Sequence, residues 1–173
     1  MRVLVTGATG LLGQQLVGML SQQGHEVTGL YHTGHNLVGD SCNASFRQCD
    51  IRRENELLDL LRRDHYCLDA IVHCAAITDV DRCEKDRDDA YRTNVHGTRH
   101  VLRCAEAFGA RLIYVSTNTV FSGQHGNHAE DDIPNPSNFY SLTKLLAEEI
   151  VLTRRDSLIV RADILGIHPL RKQ

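Results

Sequence analysis

The sequence predicts a doubly wound parallel α/β sheet, a Rossmann domain spanning residues 1–173. Short continuous apolar runs of strand length alternate with stretches whose apolar residues recur at helical spacing, the pattern of a parallel sheet covered on both faces. The first apolar run leads directly into three evenly spaced glycines. Polar and titratable residues cluster just after the apolar runs, where an open parallel sheet places its ligands.

The elements follow in order. RVLVT (2–6) is the first strand, and Leu12, Leu16, Met19 and Leu20 form the core-facing stripe of the helix after it. HEVTGLY (25–31) is the second strand, and a stretch bearing Gly, Asn and Ser leads to the third, SFRQCD (45–50). ENELLDLLRR (54–63) is a helix and AIVHCAA (70–76) the fourth strand. After a polar loop comes a long helix whose stripe runs Asn94, Thr98, Val101, Leu102, Ala105 and Phe108. RLIYVS (111–116) is the fifth strand, YSLTKLLAEEIVL (140–152) a helix behind a Gly-, Asp-, Pro- and Asn-rich loop, and SLIVR (157–161) the last strand.

A chain of 173 residues buries roughly 70% of its unfolded surface on folding, enough for one core. With 42% hydrophobic and 24% charged residues, neither disorder nor membrane insertion is expected. A net charge of −3 supplies no basic field for nucleic acid or anionic lipid, so an anionic ligand must be bound locally. The apolar run that starts at residue 2 has no charged leader or cleavage site ahead of it, and the cytoplasm is the expected compartment. Six cysteines (42, 49, 67, 74, 83 and 104) lack any C-x-x-C spacing and read as reduced thiols. His96 with His100, and His125 with His128, have no carboxylate or cysteine at matching spacing, so no metal site is expected.

The glycines Gly7, Gly10 and Gly13 in TGATGLLG open the first βα unit. Gly7 suits the tight turn, Gly10 lets a pyrophosphate approach amide groups at the helix start, and Gly13 lets the helix pack close to the sheet. The residues about twenty on, at the end of the second strand and just past it, are Tyr31, His32 and Thr33. No carboxylate stands there to repel a 2′-phosphate and His32 can donate to one, which favours NADP, with NAD as the alternative. Asp50 is placed for the adenine amino group, while Ala75 and Ala76 leave room for a cofactor. The expected cofactor contacts are Gly7, Thr9, Gly10, Leu11, Leu12, Gly13, Tyr31, His32, Asp50, Ile51, Cys74, Ala75 and Ala76, with Tyr140 and Lys144.

Thr117, Tyr140 and Lys144 form the candidate catalytic set. Tyrosine titrates near 10 when unperturbed, and a lysine ammonium one helical turn away is expected to lower that value, making the phenol a usable general acid. Tyr140 would protonate a carbonyl oxygen as hydride reaches its carbon, Thr117 would hydrogen-bond that oxygen, and Lys144 would also hold the nicotinamide ribose. The competing reading is an interfacial tyrosine beside a surface lysine.

The spacing G-x-x-G-x-x-G, the strand-end Thr117 and Y-x-x-x-K together resemble the extended short-chain dehydrogenase/reductase family over nearly the whole chain. ITDVDRCE, STNTVF and EDDIPNPSNFYSLTK resemble its dTDP-4-dehydrorhamnose reductase group. That resemblance implies NAD(P)H-dependent reduction of a keto-deoxysugar nucleotide, in dTDP-rhamnose biosynthesis, with Thr117, Tyr140 and Lys144 on the catalytic positions. It also implies association, as a homodimer or with a heteromeric partner, through the helices around Asn94 and Tyr140. Where that group commonly reads S-T-D-Y-V-F, this chain has Asn118 and Thr119. RVLVTGATGLLG and IVHCAA also resemble the regulatory β subunit of methionine adenosyltransferase, an NADP-binding relative that implies a binding role instead. After VRADILGIHPLRKQ, the region that builds most of the family's sugar-nucleotide pocket does not follow, which is expected to leave apolar surface near the last strand uncovered and to make turnover depend on a partner.

Overall fold

The structure is a computed structural model and describes residues 1–33, 44–63 and 67–164. Cys42 and the ending from 165 to 173 lie outside the described residues. The elements run β1 (Arg2–Thr6), α1 (Leu11–Gln22), β2 (Glu26–Tyr31), β3 (Ala44–Gln48), α2 (Glu54–Arg63), β4 (Ala70–His73), α3 (Val80–Lys85) and α4 (Arg87–Tyr91). A π-helical turn (Arg92–His96) leads into α5 (Gly97–Ala107), then β5 (Arg111–Thr117), a 3-10 turn (Asn118–Val120), α6 (Phe139–Leu152) and β6 (Leu158–Ala162).

The six strands make one sheet in the order β3-β2-β1-β4-β5-β6, every pair parallel. The chain winds outward from β1 to β3, crosses back, and winds the other way from β4. This doubly wound order puts the switch point between β1 and β4, where Thr6 stands beside His73 in register. Apolar residues alternate to the two faces. Leu4, Leu30, Ile71, Leu112 and Tyr114 pack under α2, α5 and α6 through Leu57, Leu61, Val101, Leu102, Ala105, Ala147 and Val151. Val3, Val5, Val27 and Val72 pack on the other face with Val17 of α1.

Four expectations need correction. Met19 is 56% exposed, and α1 buries Val17 in its place, because a residue two positions on is rotated about 200° around the axis. The third and fourth strands are shorter than the apolar runs, ending at Gln48 and His73, so Cys49, Asp50 and Cys74 to Ala76 belong to the turns beyond them. The polar loop after β4 carries α3 and α4, capped by Asp79 and Asp86, whose carboxylates accept from the amides of Arg82 (2.9 Å) and Asp89 (3.0 Å). The long helix is interrupted: Asn94 sits in the π turn, where its side chain accepts from Ile77 N (2.8 Å) and donates to Ile77 O (3.0 Å) and Thr143 Oγ1 (2.9 Å). Such insertions are frequent where a helix must aim a particular side chain.

Candidate functional site

A cleft of about 700 Å3 opens over the carboxyl ends of the strands at the switch point. Every residue expected to contact a cofactor, and each of Thr117, Tyr140 and Lys144, lines it. Residues separated by more than a hundred positions in sequence meet because parallel strands all deliver their exits to one edge.

The glycine turn forms one end. Gly7 has φ +67°, and a Cβ there would lie 2.8 Å from both the Cα and N of Ala75, so the turn presses directly on the exit of β4. A Cβ on Gly13 would sit 2.1 Å from the carbonyl oxygen of Gly7, which holds α1 close to the strand it follows. Gly10 is the N-cap of α1 with extended backbone, gives the helix no side-chain cap, and no acidic residue stands in the first turn. The opening amides of α1 therefore face the cleft without a protein anion, which suits a phosphate group.

The next stretch of wall is ionic. Asp50 accepts from Arg52 through both carboxylate oxygens, at 2.9 Å from Nε to Oδ1 and 2.8 Å from Nη2 to Oδ2. His32 Nε2 lies 3.8 Å from the same carboxylate. The hydrogen bonds from Arg52 hold the Asp50 carboxyl below its ordinary value. Arg52 also reaches Asp89 on α4 (2.7 Å), which is bonded in turn by Arg82 on α3 (2.8 Å). Asp50 is thus a partnered carboxylate, and its remaining acceptor capacity is what an adenine amino group could use. Arg52, two positions past Asp50, escaped sequence reading because its partner Asp89 is remote in sequence.

The switch point is braced by a polar relay inside the core. Thr98 Oγ1 donates to the carbonyl of Asn94 (2.6 Å) and so accepts from His73 Nε2 (3.0 Å), which leaves His73 Nδ1 to accept from Thr6 Oγ1 (2.6 Å). Thr6 Oγ1 in turn accepts from the amide of Ala75 (3.2 Å). Burial, with Lys144 adding to it, pushes His73 down to about 3, so the ring is neutral.

At the far end, Thr117 Oγ1 lies 3.0 Å from Thr119 Oγ1, which accepts from Ser141 Oγ at 2.8 Å. Thr119, which stands where the group commonly has tyrosine, thus anchors the strand-end threonine to α6. Tyr140 and Lys144 flank the same space, but their electrostatics differ from expectation. Burial raises the Tyr140 phenol above its ordinary value, with a hydrogen bond to Thr117 acting against it, and Lys144 contributes no lowering. The reason is geometric: Lys144 Nζ donates to the carbonyl of Val115 (2.7 Å) and sits 4.2 Å over the ring of Tyr114, drawn under the end of β5. Burial also pushes Lys144 itself down to about 7.

Among the described residues no group of three His, Cys, Asp or Glu is arranged to hold a metal ion, and no helix is long and apolar enough to cross a membrane. His128 stacks on Phe121 with ring centroids 4.0 Å apart and pairs with Asp132 (3.0 Å).

Comparison with known proteins places the chain in a family. Residues 1–166 match the RmlD substrate binding domain model, and the chain belongs to that family. It is 36% identical over 163 residues to the spore coat polysaccharide biosynthesis protein SpsK of Bacillus subtilis, covering 92% of this chain and 52% of that protein. It is 37% identical over 156 residues to methionine adenosyltransferase 2 subunit beta of Bos taurus, covering 87% of this chain and 42% of that one. The solved dTDP-4-dehydrorhamnose reductase of Bacillus anthracis in complex with NADP superposes with a TM-score of 0.76 at 32% identity, over 92% of this chain and 52% of that one. The chain thus spans about half the length of the relatives it matches.

Proposed function

We propose that this chain is the cofactor-binding half of an NADPH-dependent reductase acting on a keto-deoxysugar nucleotide, with full turnover requiring a further substrate-binding region or partner. The observation that carries the reading is the meeting of the glycine turn with Thr117, Tyr140 and Lys144 in one cleft at the switch point. The uncapped start of α1 and the close fit of Gly7 against Ala75 suit a dinucleotide pyrophosphate. NADPH, when bound, supplies the hydride. Tyr140 then delivers the phenolic proton to the carbonyl oxygen, and Thr117, oriented by Thr119 and Ser141, hydrogen-bonds that oxygen. Lys144 lies beneath both and is the group to hold the nicotinamide ribose. His32, 60% exposed at the cleft wall, is the donor toward a 2′-phosphate, with NAD as the weaker alternative.

A second reading follows from the methionine adenosyltransferase relative: a nucleotide-binding regulatory subunit that turns nothing over. Turnover separates them. NADPH binding is followed by fluorescence titration, and oxidation of NADPH by a dTDP-4-keto-6-deoxysugar is followed with the complementary region of a full-length relative added. Nucleotide binding without reduction in any such assembly would favour the regulatory reading, and absence of binding would refute both.

A further inference from the structure

The buried face of α6 carries a third group in line with the tyrosine and the lysine. Tyr140, Lys144 and Glu148 recur at intervals of four, so their side chains stack along one stripe of the helix. Lys144 is 4% exposed and Glu148 only 1%. A carboxylate so far from water survives only when it is fully partnered, and Glu148 is. Its Oε1 accepts from the hydroxyl of Ser116. Arg161 on β6 grips the group through Nε (3.2 Å to Oε1, 3.1 Å to Oε2) and Nη2 (2.7 Å to Oε2). Ser116 immediately precedes Thr117, and Glu148 stands one turn beyond Lys144, so this cluster ties the ends of β5 and β6 to the helix bearing the proposed acid.

We propose that Glu148 is a positioning residue for the Tyr140–Lys144 pair: clamped by Ser116 and Arg161, it supplies the negative charge that keeps Lys144 an ammonium beneath the cleft. The proposal rests on the reductase reading for its use but not for its test.

Among the described residues, the surroundings of Lys144 leave no other source for that charge. From β4 it faces His73, which is neutral, and beyond the strand Cys74, whose thiol burial pushes up to about 12. A thiol of that kind is uncharged through the range in which Lys144 loses its proton, so it cannot stabilise the ammonium there. β5 presents the Tyr114 ring and the Val115 carbonyl, both neutral. α5 and the turn before it present Thr98 and Asn94, which do not titrate. Tyr140 is held above its ordinary value and stays protonated. Arg161 is a cation behind Glu148. Among the described residues facing Lys144, only Glu148 is both anionic and on the same stripe.

The chain has three lysines, Lys85, Lys144 and Lys172, so Nζ-labelled lysine can be followed residue by residue in an NMR pH titration, with Lys85→Arg and Lys172→Arg assigning the signals. In the unmodified chain Lys144 is expected to titrate near 7. Glu148→Gln is expected to move that midpoint down by roughly one pH unit, the usual effect of removing an adjacent opposite charge. Because that variant leaves Arg161 without its partner, the neutral pair Glu148→Gln with Arg161→Gln is measured alongside, and a smaller downward movement is expected, since a more distant positive charge is removed with the nearer negative one. An unchanged or raised midpoint in either folded variant overturns the proposal. NADPH titration of the unmodified chain is run separately. Failure to bind would sink the reductase reading while leaving the lysine titration to decide the role of Glu148.

Discussion

Two glycines three residues apart should respond very differently when each is replaced by alanine. At Gly7 the backbone has φ +67°, which costs an alanine about 1–2 kcal/mol, and the new methyl would lie 2.8 Å from two backbone atoms of Ala75. Those atoms cannot swing aside like a side chain, so β1 and β4 must part at the switch point, adding about 1–3 kcal/mol of overpacking strain. The total is about 2–5 kcal/mol. With a urea dependence of about 2 kcal/mol per molar, the midpoint should fall by roughly 1–2.5 M. At Gly10 the backbone has φ −76°, ordinary for alanine, and the methyl meets only the Gly7 carbonyl oxygen, at 3.2 Å. The gain from a stiffer unfolded chain, about 0.4–1 kcal/mol, roughly offsets that contact, so the urea midpoint should hardly move. The larger Gly10→Val fills the approach to the α1 amides and should abolish NADPH binding in a fluorescence titration while the domain stays folded. Equal urea midpoints for Gly7→Ala and Gly10→Ala would refute the geometry. Undiminished NADPH affinity in Gly10→Val would refute the placement of the pyrophosphate.

Tyr140→Phe should leave NADPH binding intact and lower reduction in a reconstituted assembly by at least roughly a hundredfold, the scale of losing a general acid; equal rates would return Tyr140 to a packing role. His32→Ala should weaken NADPH roughly tenfold, the value of one charge-assisted hydrogen bond, with NADH unaffected, and an equal loss for both would show that His32 does not read the phosphate. His73, held near 3 in the folded chain, binds a proton more readily once unfolded, so its contribution is present above about pH 6.5 and is lost as pH falls toward 3. At pH 4.5 the loss should reach about 3 kcal/mol, and His73→Gln should flatten that part of the urea-midpoint profile; an identical slope in the variant would count against a buried neutral ring.

The winding of the fold was legible because a parallel sheet buried on both faces leaves its mark locally, as runs such as RVLVT and RLIYVS that need no alternation. The glycine turn was legible because backbone geometry, with its few solutions, dictates residue type directly. What sequence reading missed depends on distance. α3 and α4 are polar on their surfaces, and only Asp79 and Asp86 as caps betray them. Arg52 gains meaning from Asp89 and Glu148 from Arg161, pairings that exist only after the strands are ordered. The tuning of Tyr140 was misread for a related reason. Helical spacing puts Lys144 on the same face, but whether its ammonium reaches the phenol depends on how deep that face is buried, and the carbonyl of Val115 claims it first.

Polar burial in this domain is lopsided. Apart from Thr6 and Thr28, the buried polar and charged groups among the described residues all lie from His73 onward, on β4, the π turn, α5, β5 and α6. Each costs stability unless partnered, so a domain folding for its own sake would have little reason to gather them on one side. The same side leaves apolar surface open: on β6, Leu158 is 48% exposed and Val160 39%, with Ile164 just beyond at 41%. The two features meet at Arg161. Its guanidinium holds the buried Glu148, lies 5.2 Å over the ring of Phe121, and sits on the strand whose alternate residues are exposed. Arg161 thus links the exposed edge strand to a buried carboxylate one helical turn from Lys144.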